Sequence, residues 1–316
     1  MATQQQINKH IRQAYATGDK LIDKRNAEIE RQILKEYRAF LKELRSKLSE
    51  AYARYGSKGD GAVALTIEEM QKYGRFDKLE KAIGGDLMSL GRGIGKGVRA
   101  SKSQSFQTSY YNAGYGLETG LGIGNTINVL NTEAIQAAIT NPLDQIKWME
   151  SVTDTANRYR RAIRSSLVET FTQGKSFAEA ARDLKDKTEK SLNQSARIIR
   201  TESTKAKSIG NNAAYDNVVK SADRLGVKLE KVWDAMLDGR VRGPAHSGLD
   251  GEPSDEDGYW TYVGTSTKTK GPGLSGVAKQ DINCRCTTYA KVDELDGDVE
   301  IEPQIEMGFS EWRKNI

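Results

Sequence analysis

The sequence predicts a mostly α-helical protein that closes with a small, loop-rich α+β module. Three observations predict it. Apolar residues recur at steps of three and four through most of the stretch from Gln4 to Ala222, the period of a helix face. After Gly226 the pattern switches to alternation, the period of a strand. From Trp233 to Cys286 the chain concentrates both cysteines, one of its two histidines and a run of glycines, which suits loops built around a site.

The first element is a long helix over 4–54. Ile22, Ile29, Ile33, Tyr37, Leu41, Leu44, Leu48 and Tyr52 form a narrow apolar stripe with charged residues on the other faces. Such a stripe serves either as an arm on a partner or as a seam within the chain. Thr17-Gly18-Asp19 is expected to interrupt the helix near its start. Tyr55 to Gly61 reads as a loop, and Thr66 as the N-cap of a short helix.

The next stretch, 83–124, holds 11 glycines in 42 positions and reads as a flexible, glycine-rich connection. Within it Gly91-Arg92-Gly93-Ile94-Gly95-Lys96-Gly97 resembles a phosphate-cradling loop, since glycines let backbone N–H groups approach an anion. It is not a Walker loop, because Lys96 is followed by Gly97 rather than Ser or Thr. No acidic residue stands between Asp86 and Glu118, so Arg92, Lys96, Arg99 and Lys102 are candidate nucleic-acid contacts. Tyr110, Tyr111 and Tyr115 would either stack on bases or cover one helix face.

Asn141-Pro142 starts another helix, with Asn as cap and Pro in the first turn, and that helix stops at Gly174. Ser176 to Glu179 is a capping box. A second capping box is read at Ser191 to Gln194, opening a separate helix that runs to about Ala222. Val227 to Trp233, Tyr259 to Val263 and Ile282 to Val292 are expected strands. The linear division is 1–60, a helical arm; 61–140, a glycine-rich connection; 141–225, a helical domain; 226–292, the α+β module; and 293–316, an acidic tail expected to be mobile apart from Phe309 and Trp312, which would dock on another surface.

Charge is uneven along the chain. Residues 1–120 carry 21 basic and 14 acidic side chains, and residues 236–316 carry 9 and 15. A basic front admits a polyanion contact, and it also fits the ordinary surface of long helices. The N-terminus has no apolar leader core, no run approaches 18 apolar residues, and two cysteines one residue apart do not build a secreted disulfide framework. These features point away from secreted and membrane-spanning classes.

Cys284 and Cys286 would project from one face of a strand, with His246, Asp238 and Asp250 in loops able to fold back to them. Two thiolates, an imidazole and a carboxylate suit zinc, although the usual spacing between cysteines is wider. Buried reduced cysteines acting as small apolar side chains are the plain alternative, and a redox pair a third. Asp238, Arg240, Arg242, His246 and Asp250 would also make a hydrolytic cluster, with His246 as general base and arginine on a phosphate oxyanion. Arg200 and Glu202 do not share a helix face and are expected to reach separate partners in the C-terminal module.

Arg200-Thr201-Glu202 with Ala206 and Asn211, then Trp233, Asp238, Arg240-Val241-Arg242, His246 and Asp250-Gly251, and finally Asn283-Cys284-Arg285-Cys286, together resemble the phage Mu F-like minor head (head morphogenesis) family. The resemblance covers about 195–290, and Gly174-Lys175-Ser176-Phe177 extends it. It implies a structural virion component inside the capsid, associated with the portal protein and with scaffold or major capsid protein or packaged double-stranded DNA. It further implies a stay in the host cytoplasm during assembly, no membrane in the assembled head, and no enzymatic activity. Relatives of this kind were suspected of binding metal, which here falls on Cys284, Cys286 and His246, with Asp238 beside them. One proline stands before the cysteine motif where the family has several. Some relatives add a C-terminal toxin, for which the roughly 30 residues after Cys286 leave no expected room. Two other classes compete with this reading, a metal-dependent nuclease or hydrolase and a non-specific DNA-binding module.

Overall fold

Helix α1 runs without interruption from Gln4 to Tyr55 in the computed structural model, which describes residues 3–58, 63–140, 148–295 and 301–316. A short hairpin of β1 (Ser57–Lys58) and β2 (Val63–Ala64) follows, then α2 (Ile67–Gln71) and the long α3 (Arg75–Leu121). Next come α4 (Thr132–Ile139), α5 (Trp148–Thr172) and α6 (Phe177–Arg224). The C-terminal part is β3 (Val227–Asp234), β4 (Trp260–Thr261), β5 (Lys268–Thr269), α7 (Ala278–Asp281), β6 (Thr287–Leu295) and α8 (Phe309–Trp312). The mostly helical class with a small sheet module is what the hydrophobic periods require. The chain forms two units, Met1–Ala27 with Arg99–Gln145 and Ile199–Ile316, and Glu28–Val98 with Ile146–Ile198. Each unit draws on several stretches of chain rather than on one linear segment.

In the second unit the apolar stripe of α1 is spent on its own chain. Ile29, Ile33, Tyr37, Leu44, Leu48 and Tyr52 are buried, as are Tyr159, Ile163, Leu167 and Phe171 of α5. Each such side chain contributes about 1.5–3 kcal/mol of apolar burial. Tyr37 spends its hydroxyl on Ser191 and Ser195 at 2.8 and 2.9 Å, and Tyr159 on Thr188 at 2.7 Å. The stripe is therefore an internal seam.

The glycine-rich stretch is not a loop. All but its last three residues lie inside α3, so the backbone N–H groups of 91–97 are used in the helix and cannot cradle a phosphate. Two facts outweigh the glycine propensity. Ile83, Leu87, Leu90, Ile94 and Val98 keep the helical period and are all buried. A Cβ at Gly97 would stand 3.0 Å from Ile33 Cδ1, and one at Gly93 would collide with the Glu36 carboxylate, so glycine lets α1 and α3 approach closely.

The first unit centres on Ile7, Ile11 and Tyr15 of α1, Tyr110, Tyr111 and Leu117 of α3, and Ala214 and Val218 of α6. The antiparallel β3–β6 pair lies on this core through Val227, Leu229, Ala290 and Val292, with a register shift between Lys228 and Leu229. Tyr110 and Tyr111 are buried core rings, and Tyr115 packs on them and donates its hydroxyl to Met307 O at 2.7 Å, so none is held out for bases.

Several local expectations are corrected. Gly18 does not break α1; a Cβ there would meet Asn112 Cβ at 3.0 Å, so it marks a close helix contact. Ser191 opens no new helix, because α6 passes straight through it and its hydroxyl faces Tyr37. The capping box at Ser176 does form, with Ser176 N donating to Glu179 Oε2 at 2.9 Å, and Thr66 caps α2 by accepting from Glu69 N. The strand foreseen over 259–263 shrinks to β4, and the one foreseen from Ile282 begins only at Thr287. The described part of the tail is not mobile. Trp312 is buried, and Gln304 N donates to Thr119 O at 2.7 Å. Asn141-Pro142, residues 59–62 and residues 296–300 lie outside the described residues.

Candidate metal centre

Strand β3 delivers Trp233 into a second, smaller core with Ala235, Leu249, Trp260, Tyr262, Cys284 and Cys286. Alternation along β3 sends Trp233 inward, and Trp260 and Tyr262 meet its ring edges at 5.6 and 5.7 Å. Gly251 has φ +79, and its N–H donates to Trp233 O at 2.9 Å, which closes the loop back on the strand. Asp250 accepts from Ala235 N at 2.9 Å. The loop-rich part is thus ordered by side chains around one tryptophan.

His246 stands in this core, 1% exposed, against the face of Tyr262 at 4.6 Å. Its Nδ1 lies 3.5 Å from Cys284 Sγ and 3.6 Å from Cys286 Sγ. The cysteines are not on a strand. They sit in the extended run between α7 and β6, after a turn at Asn283 whose φ is 57 and whose N–H donates to Thr201 Oγ1 at 2.9 Å. Thr204 Oγ1 on α6 donates to Cys284 O at 2.8 Å, so α6 fixes the motif twice. That is the physical use of the Arg-Thr-Glu helix, carried by the threonines beside Arg200 and Glu202.

The two thiols are electrostatically unlike. Cys286 is drawn down by hydrogen bonding from Cys284 and by His246, against the opposing effect of burial. Cys284 is pushed up by sharing that bond with Cys286 and by burial. A thiolate on Cys286 is the form a metal takes. His246 Nε2 lies 3.0 Å from Gln280 Oε1, and a proton on Nε2 would leave the Nδ1 lone pair available to a metal held beside both sulfurs. Among the described residues His246, Cys284 and Cys286 form the one group with ligand atoms within 4.8 Å of one another. One imidazole and two sulfurs match zinc chemistry.

Asp238 is not in that group. Its carboxylate takes both terminal nitrogens of Arg285 and the backbone N–H of Arg240 at 3.0 Å. The Arg285 hydrogen bonds hold it well below the usual carboxylate range. With Asp238 on Arg285 and Asp250 on Ala235, the foreseen hydrolytic cluster does not assemble around His246. Arg242 donates to the carbonyls of Gln280, at 3.1 Å, and Ile282. A carboxylate with a depressed folded pKa stabilises above its unfolded value and loses that contribution as pH falls through it. The Asp238 loop is therefore expected to loosen below about pH 4. Asp238→Asn should flatten this acid limb in hydrogen exchange of residues 236–242; an unchanged acid limb would refute the pairing.

Glu202 does not reach the C-terminal module as foreseen. It turns to Lys102 on α3 at 2.8 Å and Lys205 at 3.2 Å, all three side chains 3% exposed. Lys102 is therefore buried and presents no charge to a nucleic acid, whereas Arg92, Lys96 and Arg99 remain on the exposed face of α3. Arg200 is exposed on α6. Sequence reasoning gives no role to Gln280, Arg285 or Tyr262. Arg285 was signalled by its place between the cysteines, while Gln280 and Tyr262 carry no spacing that marks them.

This geometry lies within a matched region, since residues 161–289 fit the model of the family described as phage Mu protein F like protein. The chain carries a phage Mu F-like domain. Two characterised relatives extend the likeness beyond the domain. One is the NAD(+)--arginine ADP-ribosyltransferase EFV of Enterococcus faecalis, 27% identical over 290 residues, 90% of this chain and 57% of that protein. The other is the minor head protein GP7 of Bacillus phage SPP1, 24% identical over 277 residues, 87% of this chain and 86% of that protein. The chain thus spans little more than half of the enterococcal relative. No solved structure matches it. Trp233, His246, Cys284 and Cys286 all fall inside the phage Mu F-like domain. No described helix is long and apolar enough to cross a membrane.

Proposed function

We propose that this chain is a phage minor head protein, a structural component of the virion that joins other head proteins during assembly. The observation that carries this reading is the likeness to the SPP1 minor head protein over 86% of that protein's length, on top of the phage Mu F-like domain. The finer assignment is that it docks on the portal inside the capsid and assists head assembly, DNA packaging or ejection, after a stage in the host cytoplasm. Its role is structural rather than enzymatic. The enterococcal relative is named for an ADP-ribosyltransferase activity, and this chain spans 57% of that protein's length.

His246, Cys284 and Cys286 would hold a zinc ion through Nδ1 and two sulfurs, and the ion would brace a module with little regular structure. Removing Asp238 from the ligand set weakens the nuclease alternative. The DNA-binding alternative keeps the exposed Arg92, Lys96 and Arg99.

Co-sedimentation of the full chain with assembled portal rings, with metal content read on the same sample, tests both parts. Stoichiometric pelleting with about one zinc per chain is expected. Absence of pelleting would overturn portal docking, and a metal-free folded protein in zinc-supplemented buffer would overturn the metal assignment.

A further inference from the structure

We infer that the His246–Cys284–Cys286 centre, when it holds its metal, keeps one coordination position open to solvent and fills it with an oxyanion, a carboxylate or phosphate oxygen. The inference rests on the metal assignment above and goes beyond it. Zinc takes four ligands in closed structural sites, and three protein ligands mark a site that admits a fourth from outside. Three is the number the described residues bring together.

The surroundings of that position are cationic. The three donors line a small surface pocket together with Met236, Arg240, Arg242 and Arg285. Two thiolates and a neutral imidazole cancel the charge of a divalent ion, so the arginines decide the sign at the mouth. Arg285 is anchored by Asp238, and Arg242 by the Gln280 and Ile282 carbonyls, which places both guanidinium groups without further ordering. Arg240 Nη2 stands 3.4 Å from Asp238 Oδ2 with its side chain 77% exposed, so three guanidinium groups stand here against the one Asp238 carboxylate. Planar guanidinium forks recognise carboxylate and phosphate oxygens in preference to neutral ligands. The Gln280 contact to His246 Nε2 and the Thr201 contact to Asn283 N keep the donors in place, so the ligand meets a preorganised centre.

The full chain is loaded with Co2+ and its visible d–d bands are followed at constant ionic strength. Acetate is titrated in one arm and inorganic phosphate in the other. A saturable shift of the bands in either arm is expected, and the arm that saturates at lower concentration identifies the source of the oxygen. Arg240→Gln should weaken anion binding severalfold while leaving Co2+ affinity unchanged. Bands that respond to neither anion would overturn the open position while leaving the metal assignment intact. A shift that Arg240→Gln does not weaken would overturn the role of the cationic mouth. Failure of the folded chain to bind Co2+ would sink the metal assignment and this inference with it.

Discussion

Replacing Glu202 by Gln is expected to destabilise the protein by about 3–5 kcal/mol. Glu202 lies between Lys102 Nζ at 2.8 Å and Lys205 Nζ at 3.2 Å, with all three side chains 3% exposed. Removing its charge leaves two ammonium groups facing a neutral amide where water is excluded. The attraction that Glu202 gave against their desolvation is gone, and the loss is far above the worth of a surface pair. The three side chains are not needed for stability as such. Lys102→Met, Glu202→Met and Lys205→Met together should recover most of the loss, because the three buried charges are then removed together. Denaturant unfolding of the two variants against the parent decides the matter. A Glu202→Gln variant within about 1 kcal/mol of the parent would show that the triad lies in a solvated site.

Trp312→Ala is expected to cost about 3–5 kcal/mol, the range for deleting a buried large aromatic. Trp312 is 3% exposed and lies against Tyr115 and Phe309, with ring centroids 5.7 and 5.6 Å away. Its Nε1 donates to Glu118 Oε2 at 2.7 Å. Glu118 is itself buried, and its other oxygen accepts from Thr126 N, Thr126 Oγ1 and Ile127 N at 2.7, 2.7 and 2.9 Å. The tryptophan therefore fills a cavity and satisfies one oxygen of a buried carboxylate that also orders the turn after α3. Trp312→Phe separates the two effects. It keeps most of the volume and loses the charge-assisted hydrogen bond, for about 1.5–3 kcal/mol. Hydrogen exchange over residues 301–316 should rise sharply in the alanine variant and less in the phenylalanine variant. Equal protection in both would show that the segment is held by its backbone contacts instead.

These two sites explain why the tail and the Arg-Thr-Glu helix were misread. Residues 236–316 carry more acidic than basic side chains, which by composition suits a solvated tail. Nothing local in that composition says that Glu118, nearly 200 positions earlier, accepts a hydrogen bond from Trp312. Glu202 likewise has no neighbour in the sequence that reveals Lys102, because helical spacing constrains partners within one helix and not between α3 and α6. The glycine run is a different kind of error. Its signal was present in Ile83, Leu87, Leu90, Ile94 and Val98, which keep the helical period across the glycines. Burial of one helix face outweighs the glycine propensity there.

The sequence by itself determined the helical class, the long first helix, the capping at Thr66 and Ser176, the strand at Val227, and the family of the C-terminal module. All of these rest on local period, cap chemistry or a run of rare residues in order, which are properties of neighbours in the chain. Only the tertiary structure decided that α1 spends its stripe internally, that Lys102 is buried, that Asp238 belongs to Arg285, and that His246 meets both cysteines. Each of these depends on which distant surfaces share one water-excluded space, and there a charge must find a partner or be destabilising. Spacing along the chain carries no record of that choice.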